Sequence, residues 1–138
     1  HNYAIIETLE AGLVLTGSEV KSIRLGKSNI EDSYADEQGG ELYLLNSFVS
    51  EYSSARHFSH EPRRPRKLLL KRREVNKLTG RIQKKGITLI PLSLYFNKKG
   101  IIKVSLGLAE GKKNHDKRQS EKERDWKREQ GRLMREKG

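Results

Sequence analysis

The string His57-Phe58-Ser59-His60-Glu61 places two histidines and a carboxylate within five positions, the raw material of a metal site or an acid–base pair. Its spacing is wrong for a helical zinc site, and Pro62 and Pro65 bound the loop that carries it. Asp32 and Ser33 lack the glycine elbow that exposes a nucleophilic serine. Gly17, Gly26 and Gly39-Gly40 are not followed by the Lys-Ser/Thr of a phosphate-binding loop. There is no cysteine, which excludes a disulfide framework, a thiolate metal site and a cysteine nucleophile. No catalytic residue, metal or cofactor is assigned. A nuclease using His57 or His60 is the enzyme alternative. The stronger pattern is basic. Arg63, Arg64, Arg66 and Lys67 form one cluster, Lys71, Arg72 and Arg73 a second, and Lys112, Lys113, Lys117 and Arg118 a third. Guanidinium and ammonium groups at this density suit phosphate oxygens, so a polyanion is the expected partner. Tyrosines are scattered without an obvious pair for base stacking, which favours recognition of backbone and shape over base reading.

The elements that must position these groups occupy a short chain. It has 138 residues, 29 Lys/Arg against 18 Asp/Glu, and a formal net charge of +11. Charged residues reach 34%, above the usual quarter, and no apolar run is long enough to cross a membrane. No signal peptide is visible in a chain that starts at His1 rather than Met. The cytoplasm is the expected location. Residues 111–138 hold only Trp126, Leu133 and Met134 as large apolar side chains, with eleven Lys/Arg and six Asp/Glu. Such a segment buries too little to offset an ordering entropy of ~1–2 kcal/mol per residue. The division is therefore a folded body at 1–110 and a basic tail at 111–138, disordered alone. Trp126 and Leu133 share one helical stripe, and Glu123 and Lys127 are a favourable i,i+4 pair, so the tail reads either as a recognition face that orders against a partner or as a solvated basic segment with no specific role.

In the body, Tyr3 to Leu15 reads as one strand with a bulge at Gly12. Ser18 to Gly26 reads as a short helix capped by Ser18. Asn29–Asp36 and Glu41–Ser50 read as strands around a Gly39-Gly40 turn, and Ser53–Pro65 as a loop. Leu68-Leu69-Leu70 opens the next element, and Val75, Leu78 and Ile82 give a helix from Lys71 to Lys85, stopped by Gly86. Ile87–Phe96 and Ile101–Ala109 form a hairpin, with Pro91 at an edge or bulge. Five or six strands with two short helices in about 110 residues predict a mainly β fold. The first choice is an oligonucleotide-binding-type antiparallel barrel with peripheral helices.

Five collinear strings carry a resemblance. They are Glu10-Ala11-Gly12-Leu13-Val14-Leu15-Thr16-Gly17-Ser18-Glu19-Val20-Lys21-Ser22-Ile23-Arg24, then Asp32-Ser33-Tyr34, Arg66-Lys67-Leu68-Leu69-Leu70, Leu92-Ser93-Leu94-Tyr95-Phe96, and Gly111-Lys112-Lys113-Asn114-His115-Asp116-Lys117-Arg118. Together they closely resemble the small protein B family, the SsrA-binding proteins of bacterial trans-translation. The resemblance implies an RNA-binding barrel that performs no bond chemistry. Its partner would be the tRNA-like domain of transfer-messenger RNA (tmRNA), held at the elbow. The alanyl-tmRNA, with elongation factor Tu, would be delivered to a stalled ribosome, leading to nascent-chain tagging and ribosome rescue. The tail would enter the decoding centre and the empty mRNA channel and fold there. By this resemblance Glu19 is an RNA-binding residue, accepting from a base or ribose or orienting Lys21 and Arg24. A plain first-turn helix glutamate is the alternative. Lys21 and Arg24 are expected phosphate contacts, and Arg66, Lys67, Lys71 and Arg72 complete the RNA-binding set. Lys112, Lys113, His115, Asp116, Lys117 and Arg118 match the ribosome-facing motif, with Trp126, Leu133 and Met134 as helix anchors. A generic ribosomal or RNA-chaperone protein is the alternative that charge and fold alone would allow.

Overall fold

The computed structural model describes residues 3–52 and 59–111. In chain order the elements are β1 (Tyr3–Leu13), α1 (Gly17–Arg24), β2 (Ser28–Asn29), β3 (Tyr34–Gln38), β4 (Glu41–Leu45), β5 (Phe48–Val49), β6 (Arg66–Leu69), α2 (Arg72–Ile82), β7 (Ile87–Phe96) and β8 (Ile102–Gly111). Six antiparallel strands close into a barrel in the order β1-β6-β4-β3-β7-β8, with β8 returning to β1. β2 and β5 form a separate two-stranded ladder. The mainly β class with peripheral helices is therefore as expected. No described helix is long and apolar enough to cross a membrane.

The longest strands follow their pattern. Ile102, Val104, Leu106 and Leu108 of β8 alternate inward and are buried. The loop before them is held by the Asn97 side chain, whose Oδ1 accepts from the amides of Lys99 and Ile101. Leu42, Leu44, Leu68 and Leu89 fill the same interior. Val75 and Leu78, one turn apart on α2, complete that core. α1 contributes Ile23 to a second cluster with Val49 and Ile102, near the loop between β7 and β8. Each large side chain so buried stabilises the fold by about 1.5–3 kcal/mol. Gly39 and Gly40, at φ 62° and 84°, form the tight turn joining β3 to β4, where Gln38 pairs with Glu41.

Several elements differ from the sequence reading. The β1 bulge lies between Ile5 and Glu7, not at Gly12. Gly12 instead permits close approach of β6: a Cβ there would meet the Leu69 Cβ at 3.2 Å. The expected strand 29–36 is broken after Asn29, whose Oδ1 accepts from the Glu31 amide while the Ser33 hydroxyl donates to the Ile30 carbonyl. Strand 41–50 is broken at Asn46, which adopts a left-handed φ of 61°. Leu68 and Leu69 belong to β6, a strand paired with both β1 and β4. α2 ends at Ile82 rather than Lys85. Pro91 does border a bulge, between Pro91 and Ser93. β8 runs on to Gly111, one residue into the segment read as tail.

Candidate nucleic-acid interface

α1 is set by a reciprocal cap. Thr16, not Ser18, is its N-cap: the Glu19 amide donates to Thr16 Oγ1 at 3.3 Å, and the Thr16 amide donates to Glu19 Oε1 at 2.8 Å. Ser18 is occupied elsewhere, at 2.8 Å from His60 Nδ1. His60 Nε2 lies 2.9 Å from the Val49 carbonyl, which can only accept. Nε2 therefore donates to that carbonyl, while Nδ1 is engaged by the Ser18 hydroxyl. Both nitrogens are engaged, so His60 has neither a free base nor a free metal ligand. His57 lies outside the described residues. Among the described residues no three His, Cys, Asp or Glu side chains gather where they could hold a metal.

Glu19 is fully buried. Its carboxylate accepts from Arg66 Nε at 2.5 Å and from Arg64 Nη2 at 2.6 Å. Arg66 is also buried, and its other donors reach Ser47 Oγ and carbonyl, each at 2.9 Å, and the Pro62 carbonyl at 3.2 Å. Burial alone would raise the pKa of Glu19. The Arg64 side chain, the Thr16 amide and Arg66 outweigh it and hold the carboxyl at about 2. Burial pulls the Arg66 guanidinium below its ordinary value, against the attraction of Glu19. The arrangement is an internal clasp tying α1 to the segment that enters β6. Buried, with its oxygens taken by Thr16, Arg64 and Arg66, Glu19 is not placed to accept from a base or ribose, and it bears on Lys21 and Arg24 only through the helix that carries them. Arg66 likewise spends its donors inside the fold rather than presenting them to a phosphate.

What the clasp leaves outside is cationic. Lys21 and Arg24 project from α1 with Lys27 just beyond it, all exposed. Lys21 Nζ sits 5.4 Å from the centre of the Tyr52 ring. None of the three is among the ion pairs of the described residues. Arg63, which the sequence places in the first basic cluster but not in the RNA-binding set, stacks 5.5 Å from the Phe48 ring and donates to Asn46 Oδ1 at 3.0 Å, beside a pocket of about 180 Å³ lined also by Asn29 and Asp32. The other predicted cations are elsewhere. Lys67 approaches Glu41 at 3.9 Å, and Arg72 pairs with the same carboxylate and donates to the Gly40 carbonyl at 2.9 Å. Lys71 is exposed at the start of α2. The structure thus separates a free cationic face on α1 from partly neutralised cations around the β3–β4 turn. Lys112, Lys113, His115, Asp116, Lys117, Arg118, Trp126, Leu133 and Met134 lie outside the described residues.

The family model for SmpB protein matches residues 1–136. The chain belongs to the SmpB family. It is 60% identical over 137 residues to the SsrA-binding protein of Rhodopseudomonas palustris (strain BisA53), covering 99% of this chain and 87% of that one. The SsrA-binding protein of Nitrobacter winogradskyi (strain ATCC 25391 / DSM 10237 / CIP 104748 / NCIMB 11846 / Nb-255) matches at the same identity and coverage. A solved structure described as "tmRNA-SmpB: a journey to the center of the bacterial ribosome" superposes with a TM-score of 0.66 at 49% identity, over 80% of this chain and 78% of that one. The buried Glu19 clasp and the exposed α1 cations are accordingly features of an SmpB barrel.

Proposed function

We propose that this protein binds the tRNA-like domain of tmRNA and serves trans-translation. The reading rests on the 60% identity to SsrA-binding proteins across 99% of the chain. The α1 face supports it physically. Lys21 and Arg24 stand exposed on, and Lys27 just beyond, a helix whose orientation is fixed from below by a buried carboxylate and two arginines. Glu19 and Arg66 act in RNA binding by holding that face, and Lys21 and Arg24 contact phosphate. Lys67, Lys71 and Arg72 extend the basic surface.

The body, residues 1–110, holds the RNA elbow. The tail, residues 111–138, probes the decoding centre and the empty mRNA channel of a stalled ribosome, folding there on Trp126, Leu133 and Met134. The alanyl-tmRNA arrives with elongation factor Tu, and the protein works in the cytoplasm, performing no bond chemistry itself. Removal of residues 112–138 tests this division while preserving Gly111 in β8. RNA affinity should be retained and tagging of nascent chains on stalled ribosomes lost. A fall in RNA affinity by orders of magnitude on that deletion contradicts the division.

A further inference from the structure

One surface runs against the charge of the molecule. A groove of about 370 Å³ is lined by Tyr3, Glu31, Asp32, Tyr34 and Ile90, among others. It lies where the barrel is most thinly joined: β3 and β7 share one register pair, Ala35 with Leu89, whereas β7 and β8 share nine. Glu31 and Asp32 are exposed and take part in no ion pair among the described residues. Tyr3 and Tyr34 are each more than two-fifths exposed. An acidic, aromatic groove repels phosphate and suits a lysine or arginine side chain.

The position of the tail identifies the occupant. Tyr3 is the register partner of Gly111, and the Gly111 amide donates to the Gly86 carbonyl at 3.1 Å. The chain therefore leaves the barrel beside the groove wall. Residues 112–118 carry Lys112, Lys113, Lys117 and Arg118 against the single acid Asp116. At ~3.3–3.6 Å per extended residue that stretch reaches about 25 Å. We infer that residues 112–118 dock intramolecularly in the groove, with their cations against Glu31 and Asp32 and their aliphatic stems against Tyr3 and Tyr34. Such a short tether supplies a millimolar effective concentration, so a contact of millimolar strength is occupied about half the time. While docked, the tail is withheld from RNA, which at that occupancy weakens its binding to a polyanion by only about twofold.

The lack of cysteine allows a unique spin label through Asn114→Cys in the full chain. The amide signals of Tyr34 and Ile90 should be broadened at low salt, while those of Gln38 and Glu41 are not. Adding Glu31→Lys and Asp32→Lys should restore the Tyr34 and Ile90 signals. Salt at ~1 M, where the Debye length is about 3 Å, should do the same without any substitution. Broadening that persists unchanged through charge reversal and high salt overturns the inference. So does a roughly tenfold loss of affinity for a tRNA-like RNA on Tyr34→Ala, which would assign the groove to RNA.

Discussion

Glu19→Gln removes the charge at the centre of the clasp while keeping its shape. The glutamine still offers one carbonyl oxygen, but Arg66, itself 1% exposed, loses its counter-ion. Breaking a buried ion pair in this one-sided way costs about 3–5 kcal/mol. Proton linkage gives an independent figure. A carboxyl held at about 2 in the fold against an ordinary 4.5 stabilises the folded state by roughly 3 kcal/mol at neutral pH. Because the folded value is the lower one, this stability is present above pH 4.5 and lost as the pH falls towards 2. Urea unfolding of both proteins, followed by circular dichroism between pH 7 and pH 3, is the assay. With a slope of about 1–3 kcal/mol per molar urea, a loss of about 3–5 kcal/mol should put the midpoint of Glu19→Gln at pH 7 about 1–5 M below that of the unsubstituted protein. The gap should narrow as the pH drops below 4.5. A loss under about 0.5 kcal/mol at pH 7 would show that the clasp does not hold the fold, since that is the range of ordinary surface substitutions. A gap independent of pH would show that the Glu19 charge is not the cause.

Thr16→Ala, which deletes one half of the cap on α1, should lower stability by about 1 kcal/mol in the same urea assay. Lys21→Ala with Arg24→Ala should leave stability nearly unchanged, weaken binding of tRNA-like RNA, and reduce the salt slope by about 0.7–0.9 for each contact removed, read by filter binding at several salt concentrations. Reversing the charges of Lys117 and Arg118 should leave binding of the isolated RNA intact and depress tagging on stalled ribosomes, measured in a reconstituted translation mixture.

The features legible in the sequence were those whose cause is local. The alternation of Ile102, Val104, Leu106 and Leu108 and the spacing of Val75 and Leu78 point inward in the structure as the pattern requires. The breaks after Asn29 and at Asn46 were missed because they arise from side-chain-to-backbone bonds and one left-handed residue within β-type runs. β6 was missed because three consecutive leucines carry no period, and its pairing with β1 and β4 is long-range. The site shows the same limit. Arg63, Arg64, Arg66 and Lys67 form one basic run, yet Arg66 is a buried strut and Arg64 turns to Glu19, 45 residues earlier. The Thr-x-x-Glu spacing at Thr16 and Glu19 was the available signal for the cap. Nothing local announced that the same glutamate would receive two arginines 45 and 47 residues further along the chain.

On the proposed function, the barrel recognises the shape of a tRNA-like RNA and not merely its charge. Competition binding at near-physiological salt tests it most directly, with the labelled tRNA-like domain of tmRNA challenged by an RNA duplex of equal length. The tRNA-like domain, with its elbow intact, should outcompete the duplex by at least about tenfold, beyond what phosphate number alone supplies. Equal competition by the two RNAs would contradict it.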